Sequence, residues 1–586
     1  MTRLLEGALA AFFIAGVVAQ DTWCGKHYMS KDPVTNPGGQ FPIASASSTP
    51  LLAIRCGAAV KPYLPEDKSS SNDPTFVSIL VDTPITHLNI TGASPVTLPS
   101  SSSNAKLSVT ISIDGKTLTA GNVPLNASKH ALPFNLSSLK PRVEAYTITC
   151  SARLPDGQKF TATNLLTFLP APPADIGSVT KMDMRTGGLL ARPANGKGGA
   201  YERVLPIGFY TQYGSYLSQD LSIPSKLKEQ GFSIIHPVPS FDNETVLNEV
   251  LDAMEEAGLY IMYDMRGTYM NDSSVTSQVN LLKKRPNLLL WYTGDEPDGT
   301  SDALTATPHA KNLINSLDGG DGKGGAGYHP VSLVLNCENY FFTEYSEGAD
   351  ILLQDTYTVG NNLSFSSVWN TVCTDDYGDC GCDNCHLGFE DISVRMDEFY
   401  ERIFYNGWEL DKSVWAVPQA FGNESYWTRY PTGKEVNVQA VIGLNHRGVG
   451  VVPWDDTSVI PADIKDSFSD LALALPDMIP FILEPGAEHT QFTTTLNSNS
   501  SSSSSGVKVD VGTWSFGGKT LVLVTSIGYE TGSVSFANLG IATAAGAAGV
   551  KQVFDSGTSV NEASASIVFE EVGSGGFIFT TGDENA

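Results

Sequence analysis

Between residues 180 and 487, short apolar runs alternate with amphipathic segments, and the alternation repeats eight times. The strand candidates are 204–210, 232–236, 260–264, 288–292, 331–335, 351–355, 414–418 and 449–452. Residues 244–257 carry a helical period and stop at Gly258, a typical C′ glycine. Residues 398–405 and 436–445 read as helices in the same way. Strands joined by helical crossovers run parallel. Eight such units in roughly 300 residues are the arithmetic of a (β/α)8 TIM barrel. A doubly wound open sheet is the alternative, but no glycine-rich phosphate turn follows the first strand.

The flanking regions read differently. Residues 20–172 carry alternating or β-branched runs at 76–81, 106–113 and 145–150, with Asp114-Gly115 as a hairpin turn. This pattern predicts a β-sandwich. The proline-rich run 169–173 reads as a stiff linker. After a serine-rich stretch at 497–505, the runs 521–524 and 576–580 predict a second, smaller sandwich over 488–586. The expected architecture is multidomain, a central barrel flanked by an N-terminal and a C-terminal β-sandwich.

Residues 1–19 have a basic start, an apolar run at 8–18, and Val17 and Ala19 at the −3 and −1 positions of a cleavage site. That is the pattern of a secretory signal peptide, and the run is too short to span a membrane. All eight cysteines follow it, as expected for disulfides in an oxidising compartment. Asn89, Asn126, Asn135, Asn243, Asn271, Asn362, Asn423 and Asn499 each open an Asn-x-Ser/Thr acceptor. A net charge of −27 argues against nucleic acid and anionic membranes as partners. The expectation is a secreted, extracellular, monomeric glycoprotein.

Cys24, Cys56 and Cys150 lie in the N-terminal region; Cys337, Cys373, Cys380, Cys382 and Cys385 lie in the barrel region. Complete pairing therefore requires at least one bridge between the two regions. Cys337 is expected to bond into the 373–385 cluster, which would then also supply the crossing bridge. The cluster's spacing fits no common zinc finger and its acids fit no EF-hand, so no metal or other cofactor is expected.

The strand ends carry the chemistry, as in parallel barrels generally. The fourth ends in Trp291-Tyr292-Thr293-Gly294-Asp295-Glu296-Pro297. Glycoside cleavage needs one carboxyl kept protonated and a second to attack or to activate water. Glu296 is the expected general acid, its pKa raised by the neighbouring charge of Asp295. Asp355 after the sixth strand or Glu338 after the fifth is expected to be the second carboxyl. Asp264 is a further candidate, although Arg266 beside it also allows a structural ion pair. Tyr210, Asp264, Arg266, Trp291, Tyr357, Gln419 and Trp454 are expected to bind substrate, because sugars need paired donors and acceptors and aromatic platforms. At least one of Trp291, Trp415, Trp427 and Trp454 is expected to be packing only. A polysaccharide or oligosaccharide, neutral or amino-sugar, is the expected substrate.

The alternation, the flanking β regions and the Trp-Tyr-x-x-Asp-Glu-Pro motif at strand four resemble secreted fungal glycoside hydrolases of the TIM-barrel superfamily. The large retaining clan places Asn before the acid and a nucleophilic Glu after strand seven; here Asp295 and Gln419 occupy those places. An adjacent Asp-Glu pair resembles the hexosaminidases that use the substrate's own acetamido group. That resemblance implies that Asp295 orients the acetamide, Glu296 is the acid and Tyr357 completes the site. The missing strand-seven Glu favours the alternative of a non-catalytic carbohydrate-binding or cell-wall-associated protein on a barrel scaffold. No Gly-x-Ser-x-Gly elbow supports an esterase.

Overall fold

The computed structural model describes residues 22–68, 73–98, 105–497, 506–541 and 549–580. The expected leader, Asn499 and most of the serine run lie outside them. Seven strands pair in parallel and in chain order: β1 (Gly208–Gln212), β2 (Ile234–Val238), β3 (Tyr260–Asp264), β4 (Leu288–Asp295), β5 (Val331–Leu335), β6 (Ile351–Gln354) and β7 (Ser413–Ala416). Between and after them run α1 (Ile223–Glu229), α2 (Glu244–Ala257), α3 (Asp272–Leu282), α4 (Ala306–Leu317), α5 (Phe342–Ser346), α6 (Phe389–Asn406), α7 (Gly433–Asn445) and α8 (Ala462–Ile482). The segment 449–456 forms parallel bridges with both edges, Ile207 to Val451 on one side and Ala416 to Val451 on the other. Val451 N donates to Pro206 O at 2.9 Å, and Val452 N donates to Ala416 O at 3.1 Å.

The strands are buried along almost their whole length, as a sheet covered on both faces requires. α2 shows how the helices attach. Asn243 accepts from Thr245 N and Val246 N at one end, and Gly258 at φ 73° closes the other. Leu247, Val250, Leu251 and Met254 form its buried face at helical spacing.

The readings of one strand and one helix change. The first strand starts at Gly208, whereas Glu202–Val204 joins an antiparallel sheet with Gly188–Ala191, Lys181–Asp183 and Val60–Lys61. Pro206 divides the apolar run because it has no N–H for a ladder. α6 extends from Phe389, well before the expected 398, because Asp391 accepts from the backbone N–H groups of His386, Leu387 and Gly388 at its start.

In the N-terminal region, Lys106–Ile113 and Lys116–Pro124 form a hairpin through Asp114 and Gly115, at φ 50° and 74°. Their sheet, with Tyr146–Arg153 and Lys159–Leu166, shares an apolar core with the sheet of Arg55–Ala58, Ser78–Asp82 and His130–Pro133. The C-terminal strands share one apolar core. They belong to one hydrogen-bonded sheet, because the long strand Ser566–Thr580 pairs with Lys519–Ser526 through one half and with Gly532–Ser535 through the other.

The disulfides are Cys24–Cys337, Cys56–Cys150, Cys373–Cys380 and Cys382–Cys385. A bridge does cross between the two regions, but it uses Cys337, and the cluster pairs within itself. The expected Cys337-to-cluster bond is therefore corrected. The segment after residue 21 runs along the strand-end rim, where Cys24 N donates to Gly299 O at 3.3 Å, and so reaches Cys337 first.

Candidate active site

β4 delivers Asp295 and Glu296 to the rim formed by the strands' C-terminal ends. Glu296 has φ 52°, a left-handed conformation that costs a non-glycine residue about 1–2 kcal/mol. The turn is held from both sides. Glu296 N donates to Val334 O at 3.2 Å. Asp298 accepts from Gly299 N, Asn336 N and Cys337 N at 3.0, 3.3 and 2.9 Å, tying the end of β4 to the end of β5.

Across this junction Glu296 meets Asp355, which follows β6. The two carboxyls are hydrogen-bonding partners. The Asn336 amide bridges them, with Nδ2 at 3.1 Å from Glu296 Oε1 and 3.4 Å from Asp355 Oδ1. Burial is the main cause that raises Glu296, to about 7, with the Asp295 charge adding to it. Burial, and then the Glu296 charge and hydrogen bond, push Asp355 well above the carboxylate range. Two carboxyls in contact cannot both ionise easily, so the pair retains a shared proton at neutral pH.

Asp295 is held differently. Its Oδ1 accepts from the Tyr292 hydroxyl at 2.5 Å and its Oδ2 from Arg266 Nη1 at 2.8 Å, with 29 % of the side chain exposed. Burial raises its pKa and Arg266 opposes that. Arg266 Nε also donates to Asp264 Oδ2 at 2.7 Å, and the same oxygen faces His236 Nε2 at 2.7 Å. Burial acts to raise Asp264, but Arg266 and His236 outweigh it and hold the carboxylate low. Asp264 is thus the ion-pair partner of Arg266, the second of the two readings its sequence context allows. Arg266 lies over the Trp454 ring at 4.7 Å, and its Nη2 has no hydrogen-bond partner among the described residues. Tyr210 stacks on His236 at 4.0 Å and meets Trp454 edge-on at 5.2 Å. Tyr357 lies beside the carboxyl pair; burial and the charges of Asp355 and Glu296 keep its phenol protonated.

Three expected site residues have other surroundings. Glu338 Oε2 accepts from Asn384 Nδ2 at 2.6 Å, which joins it to the disulfide-bearing insertion. Gln419 is fully buried and its amide is saturated: Oε1 accepts from Val359 N, and Nε2 donates to Val359 O and Phe421 O. Trp291 is fully buried, packed edge-on to Tyr263 and His329, and Trp415 is equally enclosed. Trp427 and Trp454 are the partly exposed members of the four.

Sequence reasoning passed over Asp298, Asp379 and the bridging role of Asn336. Asp379, in the insertion, lies close enough for its charge to raise Glu296 and accepts from the Tyr426 hydroxyl at 2.6 Å. Asp455, after the bridged segment's Trp454, is pushed up to about 7 by burial and by Glu424 and Asp456. Asp298 stood two residues from Glu296 in the same acidic run, and Asn336 and Asp455 stood at strand ends; nothing local marked Asp379. Among the described residues, Cys24, Cys337 and Asp383 are grouped closely enough to hold a metal ion, and both sulfurs are joined in a disulfide.

No protein-family model and no curated protein matches the chain. Among solved structures, an FMN-binding β-glucuronidase from Facaelibacterium prausnitzii L2-6 is 12 % identical over 90 % of this chain and 69 % of that one, with a TM-score of 0.31. A β-glucuronidase from Parabacteroides merdae is 9 % identical over 90 % and 74 %, with a TM-score of 0.30. A trehalose-6-phosphate hydrolase from Bacillus licheniformis is 7 % identical over 64 % and 99 %, with a TM-score of 0.38. Likenesses at this level carry no inference about fold or chemistry.

Proposed function

We propose that the protein is a secreted glycoside hydrolase acting on glycans that contain 2-acetamido sugars, with Glu296 as its acid. In this reading the segment 449–456 closes a (β/α)8 barrel, residues 1–19 are a removed leader, and module boundaries fall near 172 and 487.

The observation that carries the proposal is the contact between Glu296 and Asp355. A nucleophile stands about 5–5.5 Å from its acid, and a base that activates water about 6.5–9.5 Å from it. Carboxyls in hydrogen-bond contact leave room for neither arrangement, and Gln419 supplies no carboxyl from strand seven. The nucleophile then comes from the substrate, as the Asp295-Glu296 resemblance implies. Glu296 gives its proton to the glycosidic oxygen as the C1–O bond breaks. The acetamide carbonyl oxygen bonds to C1, and Asp295, oriented by Arg266 and Tyr292, accepts the acetamide N–H. Water then adds to C1 as the bond from C1 to the acetamide oxygen breaks, which restores the acetamide, and the water returns a proton to Glu296. Asp355 shares the acid's proton, and Tyr357 and Trp454 line the sugar site.

Glu296→Gln should lower turnover of a natural glycan about 10²–10⁴-fold, the contribution of a positioned acid. An activated aryl glycoside, whose leaving group needs no proton, should lose less. A thiazoline fused at C1–C2 of the sugar should bind more tightly than the free sugar. Equal cleavage of the 2-hydroxy analogue would remove substrate assistance. The lack of a carboxyl at Gln419 and the partly exposed Trp427 and Trp454 favour a second reading, a carbohydrate-binding protein without turnover; glycan binding with no cleavage by the wild type would establish it.

A further inference from the structure

The Asn336 amide has a third partner. Its Oδ1 accepts from Trp23 Nε1 at 2.9 Å. Trp23 belongs to the N-terminal segment, and the next residue, Cys24, is bonded to Cys337, a sequence separation of 313 residues. The bridge therefore joins the residue after Trp23 to the residue after Asn336. Gly299 completes the seat, since a Cβ there would stand 2.3 Å from the Trp23 ring.

An amide can turn either its oxygen or its nitrogen toward a carboxyl pair, and only the nitrogen donates. An indole N–H is a donor and never an acceptor. It can satisfy only the Asn336 oxygen, which leaves the amide's NH2 for Glu296 and Asp355. Trp23 thereby selects the orientation that supports negative charge on the pair.

We propose that Trp23 is a positioning residue for the Glu296–Asp355 pair, acting through the Asn336 amide, with the Cys24–Cys337 bridge as its tether. The catalytic meaning of this rests on the glycosidase reading above; the geometry does not. A segment outside the strand–helix alternation thus sets the proton affinity of the rim carboxyls. The other groups facing the pair are Asp295 on β4, Arg266 after β3, Asp298, Asp379 of the insertion and Tyr357 after β6. None of them hydrogen-bonds Trp23. Without the indole donor the amide is free to turn its oxygen toward the carboxyls, and the pair then holds its proton more tightly.

The test is Trp23→Phe in the full-length protein, which keeps a ring over Gly299 and removes the N–H. The pair is titrated by infrared difference spectroscopy of the protonated carboxyl, assigned by its loss in Glu296→Gln and Asp355→Asn. The midpoint should rise by about 1 in pH, a tenfold change in proton affinity, and the alkaline limb of kcat/KM should follow it. Asn336→Ala should produce the same rise, and Trp23→Phe should add nothing in that background. An unmoved midpoint in Trp23→Phe, or a shift that persists undiminished without Asn336, overturns the inference. If Trp23→Phe does not fold, Gly299→Ala, which pushes the ring from its seat, takes its place with the same expected rise. The titration reports on the pair even if no glycan is cleaved, so failure of the glycosidase reading and failure of the positioning role remain distinct.

Discussion

Strand β6 has a buried aspartate at each end, and the two have opposite fates. Asp350, just before Ile351, accepts from Lys61 Nζ at 3.0 Å and from Val331 N at 3.0 Å, with Lys311 Nζ at 2.9 Å. Burial acts to raise it, but the two lysines outweigh burial and hold it far below the ordinary carboxylate range. Asp355, just past the strand, is equally buried, but it faces Glu296, Asp298 and Asp295, and is raised. Burial is common to both, and the sign of the neighbouring charge decides the outcome. One end of the strand is an anchor that its lysines favour in the ionised form; the other is favoured in the protonated form.

The largest test of that contrast removes the anchor. Asp350→Ala leaves Lys61 and Lys311 buried without their carboxylate and should cost about 3–5 kcal/mol in denaturant unfolding. The Asp350 pKa is depressed by folding, so its stabilisation is present above pH ~4 and lost as pH falls below it. A smaller or pH-independent loss would break the comparison.

The rim should behave in the opposite sense. Glu296 is raised to about 7, so its stabilising contribution is present below its unfolded pKa and lost as pH rises through about 7. Relative to wild type, Glu296→Gln should gain up to about 3 kcal/mol between pH 4 and pH 8, read from urea midpoints. A flat difference between the two proteins would mean that the shared proton is not there.

Gln419→Glu places another carboxyl at the rim, among the backbone groups that now saturate the amide. It also turns acceptors toward Val359 O and Phe421 O, where the amide now donates. A loss of about 2–3 kcal/mol and no gain in turnover are expected. A gain in turnover would mean that a carboxyl at this position can serve the site despite the saturated contacts of the Gln419 amide.

The smallest effect lies away from both ends. His446, at the end of α7, sits between Asp397 Oδ1 at 3.0 Å and Asp510 Oδ2 at 2.9 Å, linking α6, α7 and the C-terminal sheet. Burial acts to lower its pKa, but the two aspartates raise it to about 9. Its stabilisation is fully present below its unfolded pKa of about 6.5 and lost as pH rises through about 9. His446→Gln should cost about 1–3 kcal/mol at pH 6 and much less at pH 10, measured by thermal unfolding.

Much of the central region was legible because its signals are local. β3, β5 and α2 have the bounds their patterns predict, since a buried parallel strand needs an unbroken apolar run and a helix needs a cap, a period and a stop. The hairpin at Asp114-Gly115 was legible for the same reason. The C-terminal sheet was not, because one long strand serves two sets of partners and no local pattern states which half pairs with which. Glu296 and Asp355 could be nominated from strand ends. Their contact could not, because it depends on the register of β4 and β6 against β5.

By itself, the sequence determined the alternation of elements, the carboxyls at the strand ends, and the need for at least one disulfide between the N-terminal region and the central region if all cysteines pair. Each of these follows from residue type and spacing along the chain. Only the tertiary structure decided that Cys24 is the partner of Cys337, that Gln419 and Trp291 are enclosed, and that Asn336 joins Trp23 to the acid pair. Those outcomes depend on which distant segments share a few ångströms of space. Charge, burial and hydrogen bonding act through that distance, and separation along the chain does not encode it.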